Sequence, residues 1–184
     1  MSAEGDADEE IIVAGVLRGE KDLFRLLVKR HEKAVFRMGI SFFRNSEDAA
    51  DFAQDVFLKA FRSLARFEGR SRFSTWLYRI AYNTAVNTFS RKREYLSLAE
   101  EPGNGGDDPE QKLIREAARL AVLGAVQDLP ERYRICVDMF FFYDRSYQEI
   151  EAITGIPVNT IKSHVFRAKK LLRERLAGIA DSDI

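Results

Sequence analysis

A chain of 184 residues has room for one ordinary domain or two small ones. With 46% hydrophobic and 32% charged residues it is not a disordered composition, and no apolar run approaches the ~20 residues that span a bilayer. Cys136 is the only cysteine, which excludes a disulfide framework and a zinc site built on cysteine pairs. The start, MSAEGDADEE, lacks the basic-then-apolar order of a signal peptide, so a cytoplasmic location without membrane insertion is expected.

Helical periodicity dominates and no convincing alternating strand occurs. The pattern predicts helices over 9–19 and 22–43, the second with Leu23, Leu26, Leu27, Val35 and Met38 on or near one face. NSEDAAD (45–51) is a helix start, because Asn45 or Ser46 can cap and the following acids favour the positive end of the macrodipole. The helix it opens runs to about Leu64, with Ala53, Val56, Phe57, Ala60 and Leu64 as its apolar stripe. Ser74 is the expected cap of a further helix reaching roughly Arg91. Residues 96–110, with EEPGNGGDDPE at their end, hold glycines, prolines and acids that cannot build a core and read as a flexible acidic linker. Two more helices are predicted over 110–128 and 130–143. The expected architecture is all-α: a domain over 1–95, the linker, and a second small domain over 111–184.

The net charge is zero, with 29 basic and 29 acidic residues, but the signs are segregated. Eight bases and one acid, Glu68, lie between Arg62 and Arg93; six bases and one acid, Glu174, lie between Pro157 and Leu176. Acids collect in the first ten residues, around 47–55 and over 94–110. Separated blocks mark separate surfaces, and the two basic ones are candidate polyanion footprints.

The second basic block lies in SYQEIEAITGIPVNTIKSHVFRAKKLLRERL (146–176). Ser146 can cap a short helix, with Glu149 at the capping-box position. Gly155 suits a left-handed turn, and Pro157 suits the first turn of the next helix. Ile150, Ile153, Ile156, Ile161, Val165 and Leu172 are spaced to pack two crossed helices, which makes a helix-turn-helix. Such a second helix enters the major groove with short polar residues and long cations outward, here Asn159, Thr160, Ser163, Phe166, Arg167 and Lys170, with Lys162 on the flank. A solvated basic face is the alternative. Phe166 could meet a thymine methyl or simply pack.

The first basic block contains FEGRSRFSTWLYRIAYN (67–83). On a helix starting after Ser74, Leu77, Ile80, Ala81, Thr84 and Thr88 share one face, while Trp76, Arg79, Asn83 and Asn87 recur on another. A ring, a guanidinium and two amides suit unstacked bases better than a closed duplex. The loop before it, with Phe67, Gly69, Arg70 and Arg72, could close over an extruded base. Trp76 and Tyr82 could equally be core aromatics with polar edges. No Ser/His/Asp or Cys/His set, metal cluster or phosphate loop stands out, so neither an enzyme nor a cofactor is expected, and Cys136 in ICVDMFFF reads as a buried, inert thiol. A duplex-binding helix-turn-helix regulator is the rival reading, but it leaves the Trp76–Asn83 surface unexplained.

The order DAADFAQDVFLKAF (48–61), FSTWLYRIAYNTAVN (73–87), DLPERYR (128–134) and then the helix-turn-helix segment resembles the bacterial extracytoplasmic-function sigma factors over about residues 9–177. The resemblance implies sigma regions two and four. It implies that the helix over 48–64 docks on the β′ clamp helices of core RNA polymerase through Asp48, Asp51, Gln54, Asp55 and Leu58, on a face opposite the apolar stripe. It implies that residues 67–87 melt the −10 element, with Trp76 in the melting segment and Asn83 at a base-reading position. The second helix of the helix-turn-helix would read the −35 duplex through Lys162, Ser163, His164, Phe166 and Arg167, and its domain would sit on the β flap. Lysine at 162 and histidine at 164 depart from the arginines common there, and a lysine lacks the planar fork that matches guanine. An anti-sigma partner is expected, for which Phe140, Phe141 and Phe142 are candidate apolar surface.

Overall fold

The heptad-like spacing of Phe24, Leu27, His31, Val35, Met38 and Phe42 places one continuous stripe on a single helix, and that stripe is buried. The computed structural model describes residues 3–92 and 121–180, with side chains over 8–88 and 121–177. All regular structure among these is helical, and the chain divides into two compact units.

In the first unit α1 (Ala3–Leu17) leads through Gly19, at φ 109°, and a 3-10 turn (Lys21–Leu23) into α2 (Phe24–Phe43). Arg44 closes α2 in the left-handed conformation, its N–H on Ile40 O at 2.9 Å. Then α3 (Ser46–Ser63) turns through a second 3-10 segment (Leu64–Arg66) and a loop into α4 (Phe73–Lys92). Helices α2, α3 and α4 pack on one another, burying Leu27, Val35, Val56, Leu64 and Leu77. Each such side chain contributes about 1.5–3 kcal/mol by leaving water. Gly39 of α2 lets the backbone of α3 approach at Ala49.

The second unit contains α5, described over 121–127, α6 (Glu131–Val137), a π-helical turn (Asp138–Phe142), the first part of α7 (Tyr147–Thr154) and α8 (Val158–Ala180). Its core joins Val126, Leu129, Tyr133 and Val137 to Ala168 of α8, with Leu171 and Leu172 against them. Buried Arg134 ties α6 to the end of α5 by donating to Gln127 O at 2.8 Å and Leu129 O at 3.3 Å.

Several expectations shift. The first helix spans 3–17, not 9–19, and the second starts at Phe24 after a 3-10 turn, leaving Leu26 49% exposed. Ser74 is buried inside the first turn of α4 rather than capping it, because the helix begins at Phe73. The segment 130–143 is not one α-helix: it widens into the π turn after Val137, which carries Phe141 and Phe142 outward. Pro157 precedes α8, and its carbonyl accepts from Thr160 and Ile161. The linker at 96–110 and the first part of the predicted helix over 110–128 lie outside the described residues.

Candidate nucleic-acid interface

Asn45 caps α3. Its backbone is extended, its Oδ1 accepts from Asp48 N–H at 2.7 Å, and its Nδ2 donates to Asp48 Oδ2 at 2.7 Å. The cap therefore draws Asp48 into the helix end, half-buried. The acids keep the side of α3 away from Val56, Phe57 and Ala60, as their spacing suggested, but that side is partly walled. Asp48, Asp51 and Asp55 line a surface cleft of about 230 Å³ together with Phe43, Phe52, Thr84 and Thr88, between α3 and α4. On a 3.6-residue helix these positions also border Phe52, a buried residue outside the stripe named from the sequence. Lys59 donates to Asp55 at 2.6 Å and to Thr84 Oγ1 at 3.3 Å, so Asp55 enters the cleft already paired. Gln54 and Leu58 are exposed on the same helix, Leu58 at 54%.

The α4 pattern divides as its periodicity predicts. Leu77, Ala81 and Thr84 are buried, Ile80 and Thr88 are half-buried, and Arg79, Asn83 and Asn87 are exposed in a row. At the head of that row Trp76 is half-buried in a cluster of rings. Its ring centroid lies 5.3 Å from Phe67 and 5.7 Å from Phe73, and Phe67 stands edge-on to Phe73 at 5.8 Å. These are favourable aromatic separations, and they leave one edge of Phe67 and Trp76 to solvent. Trp76 and Phe67 are thus both packed and presented. In the loop Gly69 adopts φ 68°, and exposed Arg70 pairs with Glu68 at 2.6 Å, while Arg72 is exposed at the foot of α4.

In the second unit the capping box closes as the sequence spells it. Glu149 N–H donates to Ser146 Oγ at 3.2 Å, and Glu149 Oε2 accepts from Ser146 N–H at 2.9 Å. Gly155 turns at φ 74°. Two further ties have no local sequence signal. Glu151 reaches across the turn to accept the N–H of Val158 at 3.1 Å, and Arg145, 3% exposed, donates to Tyr143 O at 2.7 Å and to Glu149 Oε1 at 3.2 Å. Together they set the angle at which α8 leaves α7.

Along α8, Ile161, Val165 and Ala168 face the core. Asn159, Thr160, Lys162, Ser163, Phe166, Arg167 and Lys170 are exposed, Phe166 at 72%. That exposure shows Phe166 is presented, not packed. Lys162 sits 5.9 Å over the Tyr147 ring, which stacks at 4.8 Å on Phe140, and Lys169 sits 5.1 Å over Phe141. One candidate, half-buried His164, is turned aside from the open face. His164 packs on Tyr133 at 5.2 Å with Nδ1 3.7 Å from Cys136 Sγ. Burial, with Arg132 and Arg167 nearby, lowers its pKa below the usual histidine range. Arg167 reaches the hydroxyl of Tyr133, and that hydrogen bond leads the causes that lower the phenol's pKa. Cys136 is buried, and burial pushes its thiol up to about 11, which fits an inert side chain.

Two family models match this arrangement: sigma-70 region 2 over residues 27–95 and sigma-70 region 4 over residues 119–172. The chain is 33% identical to the RNA polymerase sigma-H factor of Pseudomonas aeruginosa, with 91% of this chain and 93% of the relative covered. It is 34% identical to the ECF RNA polymerase sigma-E factor of Escherichia coli K12, with 91% and 94% covered. The chain belongs to the extracytoplasmic-function sigma factors. As such a factor it lends promoter choice to transcription initiation. Among solved structures, this sigma factor is similar to RpoE from Bartonella quintana, solved with the anti-sigma factor NepR, at 26% identity and a TM-score of 0.68 over 84% of this chain and 96% of that one. CnrH, solved with the cytosolic domain of CnrY, shares the fold at 24% identity and a TM-score of 0.66, over 95% and 97%. Among the described residues of the sigma factor no helix is long and apolar enough to cross a membrane.

Proposed function

We propose that residues 1–95 bind core RNA polymerase and open the −10 element, that 96–110 tether, and that 111–184 read the −35 duplex. The single observation that carries the division of labour is the outward row Arg79, Asn83 and Asn87 on α4, headed by the Phe67–Phe73–Trp76 ring cluster. A paired base hides its face and its Watson–Crick edge; an unpaired one offers both, to rings and amides respectively. The helix-turn-helix complements this with a face for closed duplex, where Asn159, Ser163, Phe166 and Lys170 point outward beside Lys162. Arg167 serves from its Tyr133 contact as a phosphate or base donor at the flank, and His164 supports the helix from behind.

The cleft between α3 and α4 supports docking of the β′ clamp helices: Asp51 and Gln54 are exposed, Leu58 adds apolar area, and Asp48 and Asp55 line the wall. The second unit sits on the β flap. An anti-sigma factor holds the protein idle, and exposed Phe141 and Phe142 on the π turn supply anchoring area for it. The protein works in the cytoplasm, uses no cofactor and makes no bonds itself. Opening DNA costs on the order of 1.4 kcal/mol per stacked step, and ring stacking returns about 1–3 kcal/mol per base. Polymerase contacts supply the remainder, so the free protein binds promoters weakly.

Run-off transcription on genomic fragments, with and without this protein added to core polymerase, tests the reading. Selective initiation should require the protein, and equal selectivity from core alone refutes it. Asn83→Ala should impair open-complex formation at unchanged core affinity.

A further inference from the structure

Between α1 and α2 lies a pair that none of these roles uses. Glu9 and His31 are 1% and 2% exposed, and His31 Nε2 donates to Glu9 Oε1 at 2.8 Å. Arg30 Nη1 lies 3.6 Å from the same oxygen, and Glu9 Oε2 is buried with no hydrogen-bond partner. Glu9 precedes the stretch matched by the region 2 model, which begins at residue 27. It also belongs to the acidic N-terminal block, which reads as surface from its composition. Burying a carboxylate that is only half satisfied is a poor way to dock a helix, since an apolar side chain would do so without desolvating a charge.

What the pair holds is a row of rings. The His31 ring lies 5.7 Å from Phe73 and edge-on to Tyr78 at 6.2 Å. Phe73, 2% exposed, meets Trp76 and Phe67 in turn, and those two reach the surface. A bond on one imidazole nitrogen fixes both tautomer and ring orientation. The contacts therefore run without a break from Glu9 to the surface where an unstacked base would rest.

We propose that Glu9 and His31 are positioning residues for capture of the opened strand, holding the His31 ring against Phe73 and thereby setting the pose of Phe67 and Trp76. This rests on the single-strand reading of that surface. Trp76 is the only tryptophan, so its emission in the full chain reports the cluster directly.

The test uses the full chain with core polymerase on a promoter fragment that the parent protein selects by run-off transcription. A parent that opens no promoter overturns the underlying reading and the pair's role with it. Glu9→Leu combined with His31→Phe replaces the pair by apolar groups, an exchange that buried hydrogen-bonded pairs tolerate well. Parental helix content and core affinity are expected, with shifted Trp76 emission and open complexes forming about tenfold more slowly, short of the ~100-fold that a displacement of an ångström can cause. Glu9→Gln, which keeps an acceptor for His31, should hold most of the parental rate. Parental opening by the double variant overturns the proposal, and so does core affinity falling in step with opening. Should the double variant not fold, His31→Gln decides, because it can still bond Glu9 but offers Phe73 no ring: slow opening at parental helix content supports the proposal, and parental opening overturns it.

Discussion

Gly39→Ala perturbs the close approach of α2 and α3 in the first unit. A Cβ at this position would lie 2.9 Å from Ala49 Cα, Ala49 Cβ and Phe52 Cδ1. Carbons pack at about 3.5–4.0 Å, so the overlap is about 0.6–1.1 Å. Ala49 Cα is backbone, and no rotamer change relieves it; α3 has to move off α2. Overpacking of this kind costs about 1–3 kcal/mol. Alanine recovers about 1 kcal/mol through its higher helix propensity. A net loss of about 1 kcal/mol is expected. Urea unfolding followed at Trp76 reads this unit, and with a slope of about 1–3 kcal/mol/M the midpoint should fall by about 0.3–1 M. The displacement also moves Asp48, Asp51 and Asp55 relative to Thr84 and Thr88 on α4, so affinity for core polymerase should fall with it. A raised midpoint would mean that propensity outweighs the clash and would refute the argument.

Asn45→Ala removes the acceptor for Asp48 N–H and should lower stability by about 1 kcal/mol in the same urea assay, whereas Asn45→Ser, which keeps a neutral acceptor, should retain most of it. Because His164 is held below its ordinary value of 6.5, the unfolded chain takes up its proton first as pH falls, so the second unit should weaken below about pH 6.5. Hydrogen exchange in α8 measures this; the dependence should flatten in His164→Phe, and protection in the parent that is constant from neutral pH down to about pH 5.5 would contradict it. Iodoacetamide should label Cys136 far more slowly than a cysteine peptide at neutral pH, given a thiol pushed up to about 11; comparable rates would show the site open. Arg145→Met leaves Tyr143 O without this donor and should cost about 1–3 kcal/mol, seen as faster exchange across α7.

Signals that are local in the chain were legible. The Asn45 cap, the Ser146–Glu149 box and the Gly155 turn each depend on residues within three or four positions, and each forms where the spacing indicates. The inward and outward faces of α4 were equally plain, because periodicity alone sorts Leu77 and Ala81 from Arg79 and Asn83. Expectations slipped where a residue's environment comes from another element. Leu26 satisfies the apolar spacing of α2, yet it stays 49% exposed. The acids of α3 lie away from its main apolar stripe, and only the approach of α4 beside Phe52 turns their side of the helix into the wall of a cleft.

Composition, helix periodicity and the four ordered motifs suffice for an all-α protein of the sigma type, since each is a property of short windows of chain. Which charges stay wet is a different matter. Glu9 and Arg134 look like any surface residue in a charged neighbourhood, and they are buried because partners 5–22 positions away complete them: Leu129 O for Arg134, His31 for Glu9. Burial depends on what the fold brings alongside, and packing of separate helices is settled by the whole set of faces at once. The interior polar pairs, and the ring cluster on which His31 packs, therefore emerge only from the assembled helices.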